Sequence, residues 1–141
     1  MSAKGSAEWN GDLASGSGRF TAGDSINGGY TFKSRFEDGP GSNPEQLIGA
    51  AHAACFSMSL ANLLAQDGTP AESIRTDAEV TLRRVDGSPM IASIHLVTVG
   101  TVPGVSNETF QEKAAAAKIG CVVSKALAGV PEITLDAKLV S

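Results

Sequence analysis

Apolar positions alternate strictly in some stretches of this chain and run almost unbroken in others. TDAEVTLRRV, residues 76–85, places Ala78, Val80 and Leu82 between Asp77, Glu79, Thr81 and Arg83. That period of two predicts a half-buried strand. DGSP then turns the chain, and MIASIHLVTVGTV predicts a longer, more buried partner, so the two form a hairpin. EITLDAKLV alternates again, with Ile133, Leu135, Ala137 and Leu139 on one face, and predicts a further strand. LIGAAHAACFSMSLANLLA, residues 47–65, shows no alternation. Before it, Ser42 or Asn43 can cap a helix, Pro44 suits the first helical position, and Glu45 adds a favourable negative charge to the first turn. DGTP stops it, so a helix is predicted over 44–66, apolar enough to be buried on nearly all sides. SNETFQEKAAAAKIG predicts a helix capped by Ser106 or Asn107 and ending near Gly120. CVVSKALAG predicts a second, short helix ending near Gly129. The first forty residues are rich in Gly, Ser and Thr, and predict short strands that carry Trp9, Phe20, Tyr30, Phe32 and Phe36.

The order is strands, long helix, two strands, helices, strand, so the class is α+β. At 141 residues one domain over 1–141 is expected. So many alternating strands around one very apolar helix present more apolar surface than a chain of this length covers, which points to a dimer.

Composition narrows the function. A net charge of −4, with no basic cluster beyond Arg83–Arg84, argues against nucleic acid and anionic membranes as partners. The 47–65 stretch is about as long as a membrane span. It carries His52 and Asn62, is largely Ala and Ser, and lacks aromatic belts, so a protein interior suits it better. MSAKGSAEWNG has no apolar core of a signal peptide, so a cytoplasmic location is expected. There, two cysteines 66 residues apart fit redox chemistry better than a structural disulfide.

Those cysteines are the candidate chemistry. Cys121 falls where the short helix begins, and unpaired N–H groups there favour a thiolate. Cys55 lies mid-helix, far from any terminus of its own helix. Each also fits a buried core position, as free cysteines often do. Charge on Cys55 needs a cation from elsewhere. His52, three residues earlier on the same face, is one candidate, and Arg35 in KSRFEDG is another. Glu45 is a carboxylate that can orient an arginine. Ten residues before Cys55, it lies about 15 Å along the helix axis, too far to touch that thiol within one straight helix. His95, inside a strand, is the only remaining ligand of the usual kind, so no metal site is expected.

NPEQLIGAAHAACFSMSL followed by AAAAKIGCVVSKAL resembles the OsmC/Ohr family of thiol-dependent peroxidases. AEWNGDL, SRFEDGPGSNPE and the alternating C-terminal strand extend the resemblance over nearly the whole chain, closest to the OsmC branch. The resemblance implies an OsmC-like fold, with antiparallel sheets around two central helices in an intertwined homodimer whose active sites lie at the subunit interface. It makes Cys55 the peroxidatic cysteine and Cys121 the resolving one. Arg35 and Glu45 form the network around the reactive thiolate, with Arg19 of SGSGRF a second candidate arginine. In one respect the chain departs from the family: Val122 follows the second cysteine where proline is common.

The expected activity is reduction of organic hydroperoxides to alcohols by a two-cysteine sulfenate/disulfide cycle. A dithiol, of the lipoyl type by resemblance, would restore the thiols, and no metal or organic cofactor is required. Ala51, Ala54, Phe56 and Met58 are expected to make the surroundings of Cys55 apolar. The helix-end argument favours Cys121 as the activated thiol and the resemblance favours Cys55. An arginine close at an interface outweighs a helix-end effect of about 1 kcal/mol, so Cys55 is preferred. The alternative function is a non-catalytic dimeric domain that binds an apolar or acyl ligand.

Overall fold

A computed structural model describes residues 1–140. The chain divides into two compact units, one up to Leu47 and the other from Ile48. In the first, β1 (Gly5–Asn10), β2 (Ser17–Ala22) and β3 (Ile26–Tyr30) form an antiparallel meander in that order. Phe32 and Phe36 do not lie on a strand, contrary to expectation. They open and close a short helix, α1 (Phe32–Phe36). Its cause is local: the Thr31 hydroxyl accepts from the Ser34 N–H, and the Ser34 hydroxyl accepts from the Thr31 N–H. This reciprocal cap satisfies two donors that a helix start leaves open.

α2 (Pro44–Gln66) begins in the first unit and continues into the second. Asn43 caps it, its Oδ1 accepting from the Gln46 N–H at 2.8 Å. In the second unit β4 (Ser73–Val85) and β5 (Ser88–Thr101) form the expected hairpin, with Val85 opposite Ser88. Asp86 (φ 53°) and Gly87 (φ 82°) make the two-residue turn, which needs two left-handed residues. β6 (Glu132–Val140) pairs with β5 in parallel, so the second sheet is mixed and not antiparallel throughout. The reason is the connection. α3 (Asn107–Gly120) and α4 (Val122–Ala126) lie between β5 and β6 in the chain, and a helical crossover returns the strand in the same direction.

The core of this unit joins Phe56, Leu60 and Leu64 of α2 to Ile94 and Leu96 of β5 and to Phe110, Ala114 and Ala117 of α3. With His52, the α2 residues make a single buried stripe. α2 is therefore not buried on nearly all sides within one chain. Ala50, Ala51, Ala54 and Met58 are exposed. Only 28% of its most apolar eighteen-residue window is buried, and by length and composition the helix could cross a membrane.

β5 and α3 meet closely because Gly100 has no side chain: a Cβ there would come within 2.6 Å of the Phe110 ring. Gly100→Ala should destabilise by about 1–3 kcal/mol through overpacking. Phe110→Leu should recover part of that loss in the Gly100→Ala background, so the two urea midpoints should not add.

Candidate active site

One residue separates two helices. Cys121 leaves the helical region (φ −57°, ψ 132°), while its N–H still bonds the Ala117 carbonyl at 2.9 Å. It is at once the C-cap of α3 and the N-cap of α4. A new helix start leaves its first N–H groups without helical partners. Those of Val122 and Val123 face the Cys55 sulfur, and those of Val123 and Ser124 face the Cys121 sulfur. The Cys121 sulfur makes no formal capping hydrogen bond, but the oriented N–H dipoles still favour charge on it.

Both cysteines are free thiols at one core cluster, Cys121 within it and Cys55 packed against it. Cys121 is 1% exposed, whereas Cys55 is partly exposed. Burial pushes the Cys55 thiol above its ordinary range, and its hydrogen bond to Cys121 pushes the same way. The Val123 and Val122 N–H groups offset only part of this. At Cys121 burial also opposes charge. There the Cys55 thiol, the Ser124 N–H and hydroxyl, and the Val123 N–H together outweigh burial and lower the thiol. These are two sides of one coupled titration. Of the two sulfurs, the surroundings favour charge on Cys121. The expectation that no helix terminus helps Cys55 is corrected: tertiary packing brings it the terminus of α4, which periodicity within α2 does not show.

His52 is fully buried, and its Nε2 lies 2.7 Å from the Ser124 hydroxyl. Burial lowers its pKa below the ordinary value of 6.5. It is a neutral ring and supplies no cation for Cys55. Phe56 is likewise no wall of an open site, being wholly inside the core.

In the first unit the Arg35 Nε donates to Glu45 Oε1 at 2.9 Å. Arg35 lies on α1, and Glu45 on the first turn of α2. Two bonds fix the approach. The Ser34 hydroxyl reaches the Ser42 carbonyl at 2.7 Å, and Asn43 Nδ2 donates to the Ser34 carbonyl at 2.9 Å. Glu45 is buried with Oε2 unpartnered, whereas the Arg35 side chain is 38% exposed. Among the described residues only its Nε is hydrogen-bonded, with the guanidinium over the Phe36 ring, so both Nη groups can still take an anion. Arg35 also lines a cavity of about 430 Å³ with Trp9, Leu13, Tyr30, Phe32 and Phe36. Arg19 is elsewhere, on β2, with its Nη2 on Asn27 Oδ1 at 3.3 Å. Of the two candidate arginines, Arg35 pairs with Glu45 and Arg19 does not.

Residues 37–136 match the family model of OsmC-like proteins. The chain belongs to the OsmC-like family. Over 140 residues, 98% of this chain and 96% of the relative, it is 44% identical to the peroxiredoxin OsmC of Escherichia coli strain K12. The same identity and coverage hold for the peroxiredoxin OsmC of Shigella flexneri. Among solved structures, the organic hydroperoxide resistance protein OhrB of Bacillus subtilis superposes with a TM-score of 0.70 at 25% identity, covering 99% of this chain and 98% of the other. An OsmC-like protein from Mycoplasma pneumoniae shares the fold at a TM-score of 0.75 and 19% identity, covering 100% and 99%.

In this OsmC-like chain Val122 still starts α4, and its N–H is one of the donors facing Cys55. A proline there would have no N–H to offer. Ser124 is the residue that sequence reasoning passed over. Its signal was a hydroxyl three positions beyond a cysteine at a helix start.

His52 gives a pH signature of the folded state. Its pKa is lower folded than unfolded, so the unfolded chain binds more protons between the two values. Its contribution to stability is complete above pH 6.5 and is lost as pH falls from there through the folded-state value. The urea-melt difference between wild type and His52→Gln should therefore narrow steadily below that pH. A difference that stays constant would mean that His52 does not titrate differently on folding.

Proposed function

We propose that this OsmC-like chain is a thiol-dependent peroxidase that reduces organic hydroperoxides to alcohols, with Cys55 as nucleophile and Cys121 as resolving thiol. The observation that carries this is a pair of free thiols at one core cluster, one partly exposed against it and one buried within it. Access assigns the first step to Cys55, because a bulky peroxide cannot reach a sulfur that is 1% exposed. The relatives' names agree: peroxiredoxin in E. coli, organic hydroperoxide resistance protein in B. subtilis.

The Cys55 thiolate attacks the distal peroxide oxygen. The S–O bond forms, the O–O bond breaks, and the alkoxide leaves and takes a proton to become the alcohol. Cys55 is then a sulfenic acid. The Cys121 sulfur attacks the sulfenic sulfur, a disulfide forms, and hydroxide leaves with the thiol proton as water. A dithiol, of the lipoyl type by family resemblance, reduces that disulfide by exchange and is itself oxidised. Arg35, held by Glu45, is the cation that lowers the Cys55 thiol for the first step, and its open Nη groups meet the peroxide oxygens. The aromatic cavity beside Arg35 suits the organic group of the peroxide. The two units act as one domain over 1–141. A family match over residues 37–136 runs across the division at Leu47 and supports this. The cytoplasm is the compartment we assign, since thiols stay reduced there. A purely apolar-binding domain would have no use for a paired set of thiols.

Substitutions separate the roles. Cys55→Ser should abolish peroxide consumption. Cys121→Ser should consume one equivalent of cumene hydroperoxide and then stall as the sulfenic acid or over-oxidise. Arg35→Ala should slow the peroxide step by about a hundredfold, as loss of a preorganised donor does, while Arg19→Ala should leave it nearly unchanged. Stopped-flow peroxide consumption against pH reads all four. First-turnover activity that survives in Cys55→Ser but not in Cys121→Ser would reverse the assignment.

The chain acts as a homodimer. Met58, Ile119 and Val122 are each more than 70% exposed in the single chain, and the uncovered face of α2 is apolar. Isolated soluble proteins rarely leave such a patch open. A second copy should cover it, burying more than about 2,000 Å² in total. Light scattering at micromolar concentration should give twice the 14.4 kDa chain mass, and a monomer would refute the assembly.

A further inference from the structure

The proposed cycle leaves one buried pair of side chains without a task. His52 is fully enclosed, Ser124 is 6% exposed, and they meet at 2.7 Å across 72 residues of sequence. An apolar core gains nothing from two polar groups unless each is satisfied, and one is not: His52 Nδ1 is buried without a partner among the described residues. Retaining a half-satisfied polar pair in a core is costly. Their location next to Cys121 indicates what the pair does.

We propose that His52 is a positioning residue for the resolving thiol: its Nε2–H holds the Ser124 oxygen, and the Ser124 hydroxyl proton is thereby presented to the Cys121 sulfur. This rests on the peroxidase reading and deepens it. The ring tautomer follows from the orphaned atom. Were the proton on Nδ1, a buried N–H donor would lack a partner, which native structures avoid more strictly than an unpaired acceptor. Nε2 would then accept the hydroxyl proton and turn it away from Cys121. With the proton on Nε2, the hydroxyl is free to donate to sulfur, and Ser124 stands three residues beyond Cys121, the N-cap of α4, where its hydroxyl favours charge on that sulfur. Burial favours the neutral ring, so the hydrogen bond keeps one direction. In the resolving step the Cys121 sulfur carries charge as it attacks the Cys55 sulfenic acid. A hydroxyl bond to a charged sulfur is stronger than one to a neutral thiol, so the relay favours the attacking form.

The experiment follows Cys55 sulfenic acid after a single equivalent of cumene hydroperoxide, so that its formation and its decay to the disulfide are read separately across pH. In Ser124→Ala and in His52→Phe the ratio of decay rate to formation rate should fall by about tenfold, the loss expected for one bond to a charged group. The pH midpoint of decay should move upward in both. His52→Gln, which keeps an N–H near Nε2, should restore much of the ratio. The double variant His52→Phe, Ser124→Ala should be no slower than Ser124→Ala, because the two act in series. An unchanged ratio and midpoint in folded Ser124→Ala, or additive losses in the double variant, would overturn the relay. A second readout needs no peroxide: in Cys55→Ser, ultraviolet thiolate absorbance of Cys121 should titrate at higher pH once Ser124→Ala is added. If wild type forms no sulfenic acid at all while this titration shifts as stated, the peroxidase reading fails and the hydrogen-bond relay stands. If sulfenic acid forms and the titration does not shift, the relay fails alone.

Discussion

The chemistry of this chain depends on one break between two helices. A buried sulfur takes a charge only if donors replace the water it has lost. α3 alone offers none, because its N–H groups are spent within the helix. The chain leaves helical geometry at Cys121 and re-enters it at Val122, and so exposes a fresh set of N–H groups inside the second unit. Those groups face both sulfurs. Placement of the break is what matters: one turn earlier or later, the same N–H groups would meet Ala117 or Lys125, neither of which has chemistry to support.

The carboxylate and the cation are organised by similar economy in the first unit. A five-residue helix would not persist alone. α1 exists because Thr31 and Ser34 cap each other and because Ser34 and Asn43 bind it to the segment before α2. The Arg35–Glu45 bond is the product of those contacts. Its asymmetry has a consequence. Glu45 is buried and engages a single nitrogen of a half-exposed guanidinium, so the arginine is oriented without being used up. Full bidentate pairing would leave it less able to receive another anion.

Much of this was legible in the sequence. α2 was bracketed by Pro44 and the DGTP stop, and the 86–87 hairpin by DG between alternating runs, because those signals are local and each has one physical meaning. The family was legible in two segments, NPEQLIGAAHAACFSM and KIGCVVSKAL, and the Arg35–Glu45 pairing followed from it. What failed was of another kind. Phe32 and Phe36 read as strand residues because a capping box of Thr and Ser looks the same as a polar loop. The parallel register of β6 is set by the crossover before it, and alternation is blind to strand direction. His52 read as a potential cation, since its burial depends on elements distant in sequence. Ser124 carried no signal apart from its spacing to Cys121.

The direction of the two thiol shifts bears on the order of events. In the resting chain the surroundings disfavour charge on Cys55 and favour it on Cys121. That looks wrong for a cycle that starts at Cys55, yet it fits the sequence of needs. In the proposed cycle the first step requires charge on the accessible sulfur. The second step requires charge on the buried one. Once Cys55 is a sulfenic acid it can no longer be a thiolate, but its O–H is a better donor than an S–H. The competition ends, and every remaining donor around the pair favours charge on Cys121. In the proposed cycle, oxidation of Cys55 therefore removes the competing charge and leaves the donors around Cys121 to favour its thiolate when its attack is needed.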